Sequence, residues 1–247
     1  MQTRILIILI LLSKFSVGQF AERIVNLCKY NQFNKLTILI DSLNETGGIS
    51  TINYNAHQEI SRQIIGNYYE TILYYEENQT NFLDYTIKLI SDSSNIIYCK
   101  IQRIEFVDKP EIVYSIQNDK KFTELQNLYR KTYENKISIK DFFINDVVFG
   151  IACGKSASPP EYRQKCEKAI KRKNISLLNN WLSSVTTEKQ LYAVDALSRL
   201  ESQGLALTTK QKNLITIIKS KKGTVRCCSG CRSSRWDIGD SWRLMKK

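Results

Sequence analysis

The chain of 247 residues contains a single histidine, His57. A histidine-based triad would have to be assembled around that one imidazole, and no serine elbow or metalloprotease motif accompanies it. A glycine-rich phosphate-binding loop is missing as well. The unbroken apolar run at 5–12 is far shorter than the roughly 20 residues a membrane-spanning helix needs. Acidic residues are scarce in the second part: 150–247 holds 7 Asp and Glu against 20 Lys and Arg, while 1–149 holds 17 against 16. The two parts therefore carry net charges of +13 and −1, and the first expectation is of two regions with different surfaces, the second drawn to something anionic.

What is present begins with an export signature. Arg4 supplies a short basic segment, the apolar run follows, and Ser16, Val17 and Gly18 offer small residues at a cleavage site before Gln19. Cys28 follows Val25, Asn26 and Leu27, which lack the small residues expected before a lipidated cysteine. The expectation is a signal peptide at 1–18 and a mature periplasmic or secreted protein with no transmembrane segment. Its 229 residues are long enough for a real hydrophobic core.

Apolar spacing then predicts a mainly helical N-terminal region over 19–149. Phe20, Ile24, Leu27 and Cys28 share one helical face, and Phe33, Leu36, Leu39, Ile40 and Leu43 repeat the spacing before Gly47 and Gly48. Ile60, Ile64, Ile65, Tyr68, Ile72 and Tyr75 form an apolar stripe that predicts a longer helix, and 82–90 reads as another. The stretch 96–107 is rich in β-branched and aromatic residues, 108–110 reads as a turn and 112–116 resumes alternation, which predicts a small β-hairpin near 96–116. A four-helix C-terminal domain is expected at 150–223, with helices at about 159–172, 175–184, 188–203 and 209–222. Its signals are capping-box spacings at Ser158 with Glu161, Thr187 with Gln190 and Thr208 with Gln211, and stops at Gly204 and Gly223. A basic tail containing Cys and Trp occupies 224–247. The expected fold class is predominantly α, a helical bundle or short helical array.

Leu177, Leu178, Trp181 and Leu182, the polar turn at 186–189, then Tyr192, Ala193, Ala196, Leu197 and Leu200 place large apolar residues on one helix opposite small alanines on the next. This stretch, 174–203, resembles a HEAT-like helical repeat. The resemblance implies protein–protein interaction through a helical surface, although no second copy follows at a fixed period, and a solenoid needs about three.

Cys28 and Cys166 fall on apolar helix faces and read as buried thiols. Cys153, Cys227, Cys228 and Cys231 lie instead in turn-like sequence, and in an exported chain they read as structural disulfide candidates. A bond between the adjacent Cys227 and Cys228 would close a strained ring, so the expectation is Cys153 to one of them and Cys231 to the other. Closing about 75 residues would contribute up to about 4.5 kcal/mol on the chain-entropy model. Two alternatives remain open: a zinc site using Cys228, Cys231, Cys153 and either Cys166 or Cys227, and a thiol oxidoreductase motif at 228–231.

The tail supplies the best partner-binding candidates: Arg226, Arg232, Arg235, Trp236, Trp242 and Arg243. Arginine and tryptophan combine contact area with hydrogen-bond donors and anchor interfaces. Lys165, Lys168, Lys171, Arg172 and Lys173 form a second basic cluster. Export disfavours nucleic acid, which leaves a protein partner or an anionic envelope surface. The reading is an exported, non-enzymatic interaction protein, of a binding, inhibitor or immunity type, without a cofactor. The alternative is a cell-envelope enzyme using the terminal thiols, zinc, or carboxylates such as Glu70, Glu76, Glu77 and Asp84.

Overall fold

The computed structural model describes residues 19–36, 38–39, 54–77, 83–104, 109–144, 146–230 and 232–244. Residues 1–18, expected to be a signal peptide, the Gly47–Gly48 break, Cys231 and the last three residues lie outside them. The chain divides into two compact units: residues 1–58 with 72–118, and residues 59–71 with 119–247.

The protein is mixed α and β, and this overturns the predominantly helical expectation. A five-stranded sheet runs in sequence order through β1 (Tyr54–Ile65), β2 (Tyr68–Glu77), β3 (Leu83–Ser91), β4 (Ile96–Ile104) and β5 (Glu111–Gln117). The stripe expected to be a helix is therefore β1, a two-residue turn and β2. Residues four apart share a face in both a helix and a strand, so Ile60, Ile64, Tyr68 and Ile72 fit either period. The discriminating residues are charged. Ile60, Arg62 and Ile64 are buried at alternate positions of β1, and Tyr68, Glu70 and Ile72 at alternate positions of β2, where Thr71 and Leu73 between and beside them are buried as well. With Arg62 and Glu70 facing inward, the period of two is invisible to a hydrophobicity reading. The turn Gly66–Asn67 carries the remaining signal, because Gly66 adopts φ 56°, a left-handed value that glycine takes without strain. The segment 82–90 is also strand, not helix. The expected hairpin at 96–116 exists as β4 paired antiparallel with β5, two strands of the larger sheet.

Unit 1 packs an apolar helix face on this sheet. α1 (Gln19–Lys29) buries Ile24, Leu27 and Cys28 in a cluster with Leu36, Leu73, Tyr85, Ile87, Leu89, Ile96, Cys99 and Ile101. On β4, Ile97, Cys99 and Ile101 are wholly buried at alternate positions. β3 and β4 are joined by a turn in which the Asp92 carboxylate accepts the backbone N–H groups of Ser94 and Asn95 at 2.8 and 2.6 Å. This side-chain mimicry of a backbone turn is the reason aspartate favours such positions. Asn31, just after α1, accepts the Ile96 N–H at 2.7 Å and fastens the helix end to the start of β4.

Unit 2 contains the turn end of β1–β2, α2 (Asp119–Tyr133), β6 (Phe149–Cys153), α3 (Glu161–Lys171), α4 (Ile175–Leu182), α5 (Thr187–Ser202), α6 (Thr209–Lys219), β7 (Thr224–Gly230), β8 (Arg232–Asp237) and α7 (Ile238–Leu244). The segment read as a tail is thus two strands and a helix. β6 and β7 pair in parallel, and β7 and β8 in antiparallel fashion. α5 is the hub: Leu191, Tyr192, Ala193, Val194, Ala196 and Leu197 are all fully buried. Burial around most of its circumference explains the small alanines without a repeat architecture.

The caps differ in detail from the sequence reading. Thr208 and Gln211 form a reciprocal capping box: the Gln211 N–H donates to Thr208 Oγ1, and the Thr208 N–H donates to Gln211 Oε1. α5 is preceded by Thr186, which makes no side-chain cap, and Gln190 turns inward instead. α3 begins after Pro160, while Ser158 exchanges two backbone hydrogen bonds with Cys153. Gly223, just before β7, has φ 105°, and a Cβ there would lie 2.2 Å from the Ser61 carbonyl oxygen. Only glycine allows this backbone approach, which forms an isolated bridge between Arg62 and Gly223.

Candidate functional site

Unit 2 carries three features with chemical potential: a disulfide corner, a buried ionic cluster and an aromatic, lysine-rimmed cleft.

The disulfide joins Cys153, at the end of β6, to Cys228 on β7, with Cα atoms 5.4 Å apart. Parallel pairing of the two strands brings these sulfurs together. Cys227 points the opposite way along β7, as period-two alternation requires, and is a free, fully buried thiol. Burial pushes its pKa up to about 12, so it is not a ready nucleophile. Cys166 is likewise buried, its Sγ 3.5 Å from the Tyr192 carbonyl oxygen, with a pKa pushed by burial to about 12. The thiolate set weighed for zinc is therefore not gathered: Cys153 and Cys228 hold each other, and Cys166 and Cys227 are separately buried. Among the described residues no group of three or more His, Cys, Asp or Glu could hold a metal ion.

The ionic cluster lies in the interior. Arg62, Glu70 and Glu188 are each 1 % exposed. Arg62 Nε donates to Glu70 at 2.8 Å, and its Nη1 donates to Glu188 at 2.5 Å. The second oxygen of Glu70 accepts the N–H of Phe143, a residue at φ 61°, and the second oxygen of Glu188 accepts the N–H of Arg226 at 3.2 Å. Burial works against the Arg62 charge, but Glu188 and Glu70 outweigh it and hold its pKa above the ordinary arginine value. Beside them, Lys221 Nζ donates to Gln190 at 2.7 Å. Burial first, and then the neighbouring Arg62 charge, bring the Lys221 pKa down to about 7. All four carboxylate oxygens have donors and the groups are sealed from solvent, so the arrangement serves as a latch among the hairpin turn, α5 and β7. Glu70, offered by the sequence as a catalytic carboxylate, is part of this latch. Asp84 is exposed on β3, and the side chains of Glu76, Glu77 and His57 lie outside the described residues.

The cleft, about 650 Å³, is lined by side chains including Lys136, Tyr162, Lys165, Asn180, Trp181 and Lys189. Tyr162 and Trp181 approach with ring centroids 5.7 Å apart, because α3 and α4 present these residues toward each other. Lys165 and Lys189 place their ammonium groups 4.8 and 5.0 Å from the Tyr162 ring centre, within cation–π range. Glu161 pairs with Lys165 and raises its pKa. Tyr162 also lines a smaller hollow of about 330 Å³, together with Cys153 and Cys228. An aromatic floor with several ammonium groups at its rim suits a ligand that offers carboxylates or other anions next to apolar surface.

The partner-binding candidates of the sequence are spread over β7, β8 and α7. Arg226 is directly opposite Arg235 in the β7–β8 register, and Val225 is opposite Trp236. Arg226 is half-buried and Arg235 exposed, while the side chains of Arg232, Trp242 and Arg243 lie outside the described residues. The cleft was missed in the sequence because Tyr162 and Trp181 fit the apolar faces of α3 and α4. Lys165, already noted in a basic cluster, was the available signal.

No family model, curated protein or solved structure matches the chain. Among the described residues no helix is long and apolar enough to cross a membrane.

Proposed function

We propose that this is an exported, non-catalytic binding protein, of the inhibitor or immunity type, that engages an acidic face of a protein partner through unit 2. The observation that carries the reading is the cleft in which Tyr162 and Trp181 are rimmed by Lys136, Lys165 and Lys189. Three further features support it. Unit 2 contains 27 Lys and Arg against 14 Asp and Glu, whereas unit 1 contains 9 against 10. Arg226 and Arg235 stand opposite each other in the β7–β8 register and bring two basic residues together on that strand pair. Of the carboxylates offered for an enzymatic reading, Glu70 is committed to the interior latch.

The export signature at 1–18 and the Cys153–Cys228 bond support an oxidising compartment. Within it, an acidic protein face offers both the carboxylates and the apolar surface that the cleft suits.

The test is a titration of the mature protein with an acidic peptide, poly-glutamate, followed by tryptophan fluorescence at two salt concentrations. Anionic phosphatidylglycerol vesicles form a parallel arm. Saturable, salt-sensitive binding of the peptide that weakens at least about ten-fold in Lys165→Glu, Lys189→Glu supports the reading. Binding unchanged in that variant removes the cleft, and binding to vesicles alone replaces the protein partner with an envelope surface.

A further inference from the structure

Cys28 on α1 and Cys99 on β4 are separated by 71 residues in the chain, yet their Sγ atoms are 2.9 Å apart. Ordinary non-bonded heavy atoms keep about 3.5–4.0 Å, whereas a disulfide spans about 2.05 Å. The sulfurs therefore stand between contact and bond, aimed at each other. They are 2 % and 0 % exposed, and among the described residues the cluster around them, including Leu27, Leu89 and Ile101, is apolar and offers no cation to hold a thiolate. Elsewhere in the chain Cys153 and Cys228 are already bonded, the mark of conditions in which thiols are oxidised.

We infer that Cys28 and Cys99 form a second disulfide in the mature protein, one that ties α1 covalently to β4. The oxidant is a disulfide, either a small molecule or an exchange protein. One cysteine thiolate attacks it and releases a thiolate, giving a mixed disulfide. The second cysteine thiolate then attacks the protein sulfur of that mixed disulfide, forming the Cys28–Cys99 bond and releasing the second thiolate. The two protons lost by the cysteines end on the two released thiols, and the oxidant takes up the pair of electrons. Exchange takes place before α1 docks, because docking seals both sulfurs.

The bond answers a local weakness. α1 is 11 residues long, below the length at which an isolated helix is stable in water, so it depends wholly on its buried face. A covalent tie at Cys28 would keep that face on the sheet, and each unit would then have its own brace.

The experiment is made on the mature protein purified without reductant. It is unfolded in guanidinium with iodoacetamide, digested and mapped by mass. The expected result is a peptide pair joining Cys28 to Cys99, unalkylated in most molecules and released by reductant. Alkylation of both Cys28 and Cys99 while Cys153 and Cys228 remain joined overturns the inference, as does a bond from either to another cysteine. A second measurement follows amide exchange. Reduction should speed exchange of α1 at least about ten-fold in the parent and leave it unchanged in the Cys28→Ser, Cys99→Ser variant. Equal response in the two chains also overturns the inference.

Discussion

Unit 1 and unit 2 solve the same packing problem with different materials. The main core of unit 1 is built from aliphatic, tyrosine and cysteine side chains on alternating strand positions and one helix face. Unit 2 instead places Arg62, Glu70, Glu188 and Lys221 in its interior and accumulates positive charge elsewhere. An apolar contact tolerates small slips, whereas a buried ion that slips loses its partner and the full solvation cost returns. The contrast teaches that in unit 2 registry among β1–β2, α5 and β7 is set by charge pairing, while in unit 1 it is set by the strand ladder.

That comparison is broken most directly at Arg62. Arg62→Ala leaves two buried carboxylates without their cation and is expected to cost about 3–5 kcal/mol. Amide exchange should rise in α5 and β7 while the β3–β4 ladder stays protected; equal loss in both units would erase the distinction.

The disulfide comes next. Cys153→Ser with Cys228→Ser is expected to lower stability by about 2–4 kcal/mol in urea unfolding. The loss should be confined to unit 2, and a chain equally stable without the bond would reduce it to an ornament of the parallel β6–β7 pair.

The smallest effect sharpens the comparison through pH. Lys221 titrates at about 7 in the folded protein against 10.5 as the ordinary value. Between these values the unfolded chain holds a proton that the folded chain has released, so stability rises with pH. Below about 7 both states are protonated and the cost of burying the charge is fully present. Each pH unit in the window is worth up to about 1.4 kcal/mol. Lys221→Met should remove this slope, so the stability difference between parent and variant shifts by about 1–2 kcal/mol, in favour of the parent, from pH 7 to 8.5. A constant difference would mean that Lys221 keeps its ordinary affinity for protons.

The helices of unit 2 were legible because their signals are local. Thr208 and Gln211 cap α6 within one turn, and the apolar residues of α3, α4 and α6 recur on single faces. The strands of β1 and β2 were not legible, since their inward faces carry Arg62 and Glu70, whose partners are remote in sequence or hidden by a turn. β3 was obscured differently: Tyr85, Thr86, Ile87, Leu89 and Ile90 are all buried, so both faces are covered and alternation disappears. For the candidate site, the sequence pointed to basic residues in the second region but placed the aromatic anchors in the tail. Tyr162 and Trp181 acquire a shared cleft only when α3 and α4 meet.

By itself the sequence determined the charge asymmetry, the helix starts that are spelled out in capping residues, and which cysteines stand outside helical patterns. Those properties are counts or depend on neighbours a few residues apart. The tertiary structure alone decided that 60–75 is a hairpin, that Arg62 meets Glu188, that Cys28 meets Cys99 and that Cys153 meets Cys228. Each of these depends on partners brought together by strand pairing or packing, and the energy that selects them exists only after the chain has closed those distances.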